Sequence, residues 1–139
     1  SDNGANPCDF YGRTYGHKSC GDLRGCKADI YEGGHRVPFI IRWPGFVAPG
    51  SESDALCGLI DFFALVSEVI EYEKNDDEGP DSVSIMPLLN TPDSEIRDSI
   101  INHSVNGMFA IRKKYWKFIY GIGSVVFSKP NTHPPIKPG

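Results

Sequence analysis

Apolar positions along the chain fall into a few short runs, separated by polar stretches that contain glycine and proline. The run "VPFIIRW" at residues 37–43 is continuous, rich in β-branched residues and closed by Pro44 and Gly45. Its length and content predict a strand buried on both faces, as in a parallel or mixed sheet that is covered by helices. Pro38 is compatible with the first residue of such a strand or with an edge position.

The clearest helical pattern follows this run. Ser53 is placed to act as the N-cap, and the helix is predicted to end in the solvated loop "NDDEGPD". Asp61 and Glu68 lie off the apolar stripe. The apolar positions at helical spacing are Leu56, Leu59, Ile60, Phe63, Val66 and Ile70.

From Arg97 the pattern changes to short strands. "SIINHSV", "GMFAIR" and "YWKFIYG" are joined by Asn106-Gly107 and by Lys113-Lys114, which predicts a three-stranded antiparallel meander. The alternating spacing of the aromatic residues favours core packing over contact with a ligand. These aromatic residues are Phe109, Tyr115, Trp116, Phe118 and Tyr120. The fold class is therefore α/β, with an α/β part over residues 1–95 and a small antiparallel β part with a proline-rich tail over residues 96–139.

Composition narrows the possible partners. The chain of 139 residues has 15 glycines, 11 prolines and a net charge of −4, and its longest basic block is Arg112-Lys113-Lys114. This gives little support for nucleic-acid binding. No apolar run approaches the roughly 20 residues that a membrane-spanning helix needs.

The four cysteines show no C-x-x-C spacing, so three disulfide pairings remain open. A zinc site is the less favoured alternative to structural thiols, because the spacing of the candidate ligands is irregular. Those candidate ligands are Cys8, His17, Cys20 and Cys26, and the fourth cysteine is Cys57.

Candidate chemistry begins at the tight-turn sequence "SDNG". Asp2 and Asn3 place two oxygen ligands side by side, which suits a hard cation such as Ca²⁺ or Mg²⁺. An ordinary Asx turn, in which both side chains bond the local backbone, is the favoured alternative on these four residues alone.

Two further segments carry candidate groups. In "LRGCK", Lys27 leaves a glycine turn and could face an anionic group, although a solvated surface lysine is the common case. In "YEGGHRVPF", His35 could be an acid–base group or a hydrogen-bonded structural histidine, and Glu32 and Arg36 could pair with each other. The sequence contains no G-x-S-x-G elbow, phosphate loop or H-E-x-x-H, and therefore no recognisable activated nucleophile.

Taken together in order, these segments resemble the sulfatase family, the formylglycine-dependent arylsulfatases of the alkaline-phosphatase superfamily. The matching segments are "SDNG", "LRGCKADIYEGGHRVPFIIRWPG", "DALCGLIDFFALVSEVI" and "FAIRKKYWKFIYG". Members of that family typically read SDNG…LRGGK…EGGxRVPFIxRWPG. The resemblance covers nearly the whole chain, and an ordered match of several parts is far more specific than any one of them.

The resemblance implies a fold and a site. Residues 1–95 would form the C-terminal part of a mixed-sheet, alkaline-phosphatase-like α/β domain, and residues 96–139 a β subdomain. Asp2 and Asn3 would be two of the metal ligands, usually for Ca²⁺, and Lys27 would contact the sulfate group. The family motif assigns no role to His35 or to Cys8, Cys20 and Cys26.

The resemblance also implies what this chain lacks. The C/S-x-P-S/A-R segment that yields formylglycine does not occur in it, so the chain is expected to be a C-terminal portion, inactive without the N-terminal half of the same enzyme. The implied substrate is an aryl or carbohydrate sulfate, and the implied setting is periplasmic, extracellular or lysosomal. Three alternatives remain: a phosphodiesterase or phosphonate hydrolase of the same superfamily, a non-catalytic module that binds sulfated glycans, and a purely structural fragment.

Overall fold

The computed structural model describes residues 1–6 and 14–121. Its helices and strands, in chain order, are α1 (Glu32–His35), α2 (Asp61–Val69), α3 (Met86–Asn90), β1 (Ile100–His103), β2 (Phe109–Lys113) and β3 (Trp116–Tyr120). The chain forms two compact units. The first comprises Ser1–Phe39, Ile101–Arg112 and Lys117–Gly139 as far as they are described, and the second comprises Ile40–Ile100 and Lys113–Trp116. The domain boundary expected after residue 95 stays a prediction.

The three strands form one antiparallel sheet in the order β1-β2-β3, as expected of the predicted three-stranded antiparallel part. The turn between β1 and β2 is closed by a 2.8 Å hydrogen bond from Ser104 N to Met108 O, and Gly107 adopts a φ of +75° within it. The turn between β2 and β3 places Lys114 at a φ of +48°. Both connections have the positive backbone angles that tight hairpins require.

The two faces of the sheet differ sharply. In β2 and β3 exposed positions alternate with less exposed ones, and the less exposed positions include Ala110, Arg112 and Lys117. The aromatic residues lie on exposed positions, with relative exposures from 54% at Phe109 to 97% at Tyr115. The interpretation of the aromatic residues as core packing is therefore wrong for the described structure.

The strand predicted at residues 37–43 is also not present. This run has no regular secondary structure and belongs to no sheet, and Ile40 is 89% exposed. Within the described residues the backbone N–H groups of residues 39–42 donate no hydrogen bond. A strand is defined by a neighbouring strand, and neither β1, β2 nor β3 pairs with this run.

Helix α2 begins at Asp61, eight residues after the predicted N-cap. The hydroxyl of Ser53 instead donates to Pro92 O at 2.6 Å. The free amide of Ala64 in the first turn is satisfied by Ser82, whose Oγ lies 2.9 Å from Ala64 N and donates to Ile60 O at 2.7 Å. A side chain from a later loop therefore fixes the start of the helix.

The buried face of α2 also differs from the predicted apolar stripe. Asp61, Ala64 and Leu65 are buried, whereas Phe63 and Ile70 of the stripe are 42% and 66% exposed. A small apolar cluster forms the core of the second unit around Leu65. Its buried members are Leu65, Ile85 and Leu88, with Ile41, Ala55, Met86, Leu89 and Ile96 packed against them.

Asp61 is the polar centre of this unit. Its carboxylate is fully buried and accepts hydrogen bonds from Gly58 N at 2.7 Å and Val83 N at 2.9 Å, and it forms an ion pair with Arg97. A buried carboxylate with two amide donors and a guanidinium holds three loop segments at the start of α2. No described helix is long and apolar enough to cross a membrane.

We expect Asp61→Ala to lower the free energy of unfolding by about 3–5 kcal/mol, because it leaves Arg97 and two amides without their acceptor. Urea unfolding followed by circular dichroism measures this change. The exposed Asp77 offers a matched control, and Asp77→Ala is expected to change stability by less than about 0.5 kcal/mol. Equal effects of the two substitutions would contradict this role for Asp61.

Candidate functional site

The turn at residues 1–5 packs directly against α1. Gly4 N donates to Gly34 O at 3.0 Å, and Gly4 is buried. A Cβ atom at Gly4 would lie 1.9 Å from Gly33 O, closer than any side chain allows. The "SDNG" turn therefore ends in glycine because the backbone of α1 occupies the space of a side chain.

The loop that contains "LRGCK" packs against the same two glycines. Gly33 N donates to Arg24 O at 2.7 Å. A Cβ atom at Gly33 would lie 2.1 Å from Gly25 O, and one at Gly34 would lie 2.2 Å from Asp29 O. The Gly-Gly pair of "EGGH" thus permits backbone contact that no other residue pair would allow.

A further backbone bond joins the first turn to this loop, since Lys27 N donates to Ala5 O at 2.9 Å. The three segments singled out in the sequence, "SDNG", "LRGCK" and "EGGH", therefore meet in one cluster within the first unit. Asp2 and Asn3 lie on the first turn and Lys27 on the adjoining loop. Backbone hydrogen bonds, rather than side-chain packing, fix how these three segments are placed.

The loop itself is shaped by Gly25 and Asp29. Gly25 has a φ of +80°, and the Asp29 carboxylate, only 1% exposed, accepts a 3.0 Å hydrogen bond from Cys26 N. Asp29 N in turn donates to Cys26 O at 2.9 Å. The Arg24 guanidinium lies 3.7 Å from the centroid of the Tyr31 ring, a cation–π contact at the start of the loop.

The predicted metal ligands hydrogen-bond to each other. Asn3 Nδ2 donates to Asp2 Oδ2 at 2.7 Å, and Ser1 Oγ donates to Asn3 O at 3.0 Å. This leaves one carboxylate oxygen of Asp2 and the amide oxygen of Asn3 as hard donors on an exposed turn, which fits Ca²⁺ in donor type. Ca²⁺ takes about six to eight oxygen ligands. Among residues 1–6 and 14–121, no three His, Cys, Asp or Glu side chains form a metal-binding group.

The side chain of Lys27 is exposed. Within the described ranges its ammonium group takes part in no ion pair or hydrogen bond. The backbone of Lys27 is held by Ala5 O, whereas its charge remains available to an anion. An exposed ammonium on an anchored backbone is expected of a lysine that binds an anion, and it is also expected of a solvated surface lysine.

Glu32 does not form an ion pair with Arg36, although the sequence had left that pairing open. Its carboxylate contacts Lys117 Nζ at 2.9 Å and also pairs with Arg112. Partial burial opposes ionisation, but the hydrogen bond from Lys117 and the charges of Lys117, Arg112 and Arg36 outweigh it, so the pKa of Glu32 lies below its ordinary value of 4.5. The sequence analysis did not predict these ion pairs of Glu32. Their only signal in the sequence is a basic residue at a less exposed position in each of two strands, Arg112 in β2 and Lys117 in β3.

His35 closes α1. Its Nε2 atom is buried, with no hydrogen-bond partner among the described residues. Burial, followed by the nearby charge of Lys117, lowers the pKa of His35 from its ordinary value of 6.5, although Glu32 and Asp29 act in the opposite direction. The imidazole is therefore neutral at pH 7.

The zinc alternative gains no support from the described residues. His17 is exposed, and Cys20 Sγ lies 3.6 Å from Gly33 O as a donor to that carbonyl. Cys26 is buried beside Asp29. Cys8 lies outside the described residues, so the disulfide pairing stays open.

Gly34→Ala is expected to disrupt the cluster, because its Cβ would meet Asp29 O at 2.2 Å. The amide resonances of Gly4 and Lys27 should shift in an NMR spectrum, and the free energy of unfolding should fall by about 2 kcal/mol or more. Gly107→Ala serves as the control: it places a side chain at a φ of +75° but in open space, so it should cost about 1 kcal/mol. Unchanged Gly4 and Lys27 resonances in Gly34→Ala would contradict the close contact.

Comparisons with known proteins place the chain in a family. No family model matches it. It is 37% identical over 107 residues to an N-acetylgalactosamine-6-O-sulfatase of Bacteroides thetaiotaomicron, covering 77% of this chain and 21% of that protein. It is 41% identical over 71 residues to the steryl-sulfatase of Rattus norvegicus, covering 51% of this chain and 12% of the relative.

A solved structure gives the same result. A chain described with the metabolism of multiple glycosaminoglycans by Bacteroides thetaiotaomicron matches with a TM-score of 0.71 and 36% identity, over 79% of this chain and 23% of that one. The chain thus spans about a fifth or less of the length of these two curated sulfatases. Sequence and structure comparisons both cover more than three quarters of the chain, and on these grounds the chain belongs to the sulfatase family.

Proposed function

We propose that this chain supplies the metal-binding and sulfate-binding turns of a sulfatase, an enzyme that hydrolyses sulfate esters. The observation that carries the proposal is the convergence of "SDNG", "LRGCK" and "EGGH" in one backbone-bonded cluster. Asp2, Asn3 and Lys27, to which the family resemblance gives functions, lie on adjoining turns of that cluster. The cluster would belong to the C-terminal part of an alkaline-phosphatase-like α/β domain.

Asp2 and Asn3 would hold Ca²⁺ through their side-chain oxygens, together with ligands from outside the described residues. Bound Ca²⁺ would polarise the sulfate oxygens. The hydrogen bond from the Asn3 amide to Asp2 Oδ2 keeps the two side chains close together. The other carboxylate oxygen of Asp2 and the amide oxygen of Asn3 would be the ligands that this chain offers the ion.

Lys27 would contact the sulfate group. Its ammonium has no competing carboxylate within the described residues, and its backbone is anchored to Ala5 O. Negative charge moves toward the leaving oxygen as the S–O bond breaks, and a positioned ammonium stabilises that charge or assists protonation of the oxygen. The chain itself provides the anchor and the charge, but not a nucleophile.

The nucleophile would come from the N-terminal part of the same protein, which in this family carries formylglycine. Two observations support such a partner. The run at residues 37–43 is apolar, and within the described residues the backbone N–H groups of residues 39–42 donate no hydrogen bond. The stripe of α2 leaves Phe63 and Ile70 exposed. A sheet edge and an apolar surface from the rest of a sulfatase would satisfy both. Family membership is the support for an exported setting.

The alternatives differ in their support. The two curated relatives are named sulfatases, which favours sulfate over phosphate or phosphonate esters as substrates. The exposed aromatic face of the sheet would be the contact surface if the chain were a sulfated-glycan-binding module. That face is more simply explained as one further apolar surface that the rest of the protein covers.

The isolated chain is expected to show no turnover of a chromogenic aryl sulfate in the presence of Ca²⁺, because it contains no nucleophile segment. A chimera tests the proposal: the matching 107 residues of the Bacteroides sulfatase are replaced by those of this chain. The chimera should hydrolyse that enzyme's own substrate. Within it, Lys27→Ala should lower kcat/KM by roughly 100-fold or more, corresponding to about 3 kcal/mol of transition-state stabilisation.

Lys18→Ala is the matched control, because Lys18 is an exposed lysine that pairs with Asp22 on the surface. It should leave kcat/KM of the chimera within about twofold. Turnover by the isolated chain above that of its Lys27→Ala variant would overturn the claim of inactivity. A folded, active chimera that is indifferent to Lys27→Ala would overturn the role of Lys27.

Ca²⁺ binding by the isolated chain is expected to be weak, with a dissociation constant above about 100 µM, since two oxygen ligands are far fewer than Ca²⁺ prefers. Isothermal titration calorimetry measures this constant, and Asp2→Ala should remove the remaining signal. Asp77→Ala, in the exposed loop, should not change it. Submicromolar binding by the isolated chain would contradict a partial site.

A further inference from the structure

Glu32 of α1 contacts β2 and β3, which are neighbours in the sheet but far from Glu32 in the sequence. Its carboxylate takes one hydrogen bond from Lys117 Nζ at 2.9 Å and another from Arg112, residues that are 85 and 80 positions later in the sequence. All three side chains are largely shielded, with relative exposures of 22% for Glu32, 13% for Lys117 and 26% for Arg112. One partly buried carboxylate in α1 therefore forms ion pairs, the Glu32 bridge, with two cationic side chains on the less exposed face of the sheet.

The bridge lies one peptide away from the contacts that build the candidate site. Gly33, next to Glu32, donates to Arg24 O, and Gly34 accepts from Gly4 N. A second link runs from the turn between β1 and β2 to the same loop, since Val105 N donates to Ala28 O at 3.2 Å. The sheet therefore contacts the site turns through a backbone hydrogen bond at Val105 and through the ion pairs of Glu32.

Removal of the charge would have a local consequence. Arg112 and Lys117 both contact Glu32 and are both shielded from solvent. Without the carboxylate, their two positive charges are no longer compensated and repel each other. The movement that relieves this repulsion displaces the start of α1. Gly33 and Gly34 pack directly against neighbouring backbone atoms. A displacement of α1 therefore also displaces the "SDNG" turn and the "LRGCK" loop.

We propose that Glu32 is a positioning residue: by bridging Arg112 and Lys117, it holds the turns that carry Lys27 and the Asp2–Asn3 pair in register with the sheet. The proposal rests on the proposed function for the roles of those three residues. Its structural part, the dependence of the turns on the Glu32 charge, stands independently of any sulfatase activity. A plain surface ion pair would add a little stability and nothing else.

The structural part is tested by amide hydrogen exchange in the full chain. Glu32→Gln, which keeps the size of the side chain, should lower the protection factors of the Gly33 and Lys27 amides by about tenfold or more. Amides of the second unit, such as Ile70 N bonded to Val66 O, should be unchanged. A uniform loss of protection across both units would show a general stabilising role and would overturn the proposal.

Matched variants separate charge from packing. Lys117→Arg keeps the charge and should leave protection of the Gly33 and Lys27 amides within about twofold, whereas Lys117→Met should lower it. Glu95→Gln is the control, because Glu95 also pairs with a lysine, Lys114, but at 67% exposure. Loss of protection in Lys117→Arg equal to that in Lys117→Met would contradict the bridge.

The same amides report on pH. The charged groups that surround Glu32 are Lys117, Arg112 and Arg36, with His35 on the same turn. Because the pKa of Glu32 is lowered on folding, the bridge is complete above pH 4.5 and is lost as the pH falls through the lower folded value. Wild-type protection at Gly33 and Lys27 should therefore approach that of Glu32→Gln on acidification. A wild-type profile parallel to that of Glu32→Gln would contradict the proposal.

The functional part is tested in the chimera with the Bacteroides sulfatase. Glu32→Gln alone should lower kcat/KM by roughly tenfold, and in a Lys27→Ala background its further effect should be clearly smaller than tenfold, because part of the loss acts through Lys27 and the rest through the Asp2–Asn3 turn. Additive losses would show that Glu32 does not act through Lys27. If the chimera were inactive, the proposed function would fail there, while the exchange measurements would still decide the structural part.

Discussion

The first unit depends on the approach of bare backbone at Gly33 and Gly34. A Cβ atom at either position would lie about 2 Å from a carbonyl oxygen of the loop at residues 24–29, and one at Gly4 would meet Gly33 O as closely. Peptide groups that approach this near can exchange N–H···O bonds directly, as Gly4 does with Gly34 and Gly33 with Arg24. The absence of a side chain at these three glycines therefore determines how closely the turns that carry Asp2, Asn3 and Lys27 approach α1.

This division between backbone and side chain explains the electrostatics of the site. The backbone of Lys27 and of the first turn is fixed by hydrogen bonds, whereas Asp2 and Lys27 are exposed and Asn3 is half-buried. The hydrogen bonds order the backbone at these positions, whereas the exposed Lys27 side chain keeps its rotamer freedom. The charge of Glu32, in contrast, acts within the fold, where two shielded cations compensate it.

Features with local causes could be predicted from the sequence. The meander follows from short strands around Asn106-Gly107 and Lys113-Lys114, and an ordered set of short motifs identified the family and its candidate residues. Features with distant causes could not be predicted. The first turn of α2 is capped by Ser82, whose hydroxyl oxygen accepts a hydrogen bond from Ala64 N, 18 residues earlier in the sequence. Glu32 pairs with Arg112 on β2 and Lys117 on β3 rather than with the nearby Arg36. Propensity and spacing do not encode such tertiary partners.

The failed strand prediction at residues 37–43 is informative for the same reason. Its sequence has every local property of a buried strand, yet Ile40 is 89% exposed and the adjoining backbone N–H groups are unpaired within the described residues. Local preference and observed environment conflict here, as they do on the exposed stripe of α2 and the aromatic face of the sheet. A natural sequence is expected to be consistent across these levels. Each of these three conflicts leaves apolar side chains exposed within the described residues, and cover from further protein would remove that exposure.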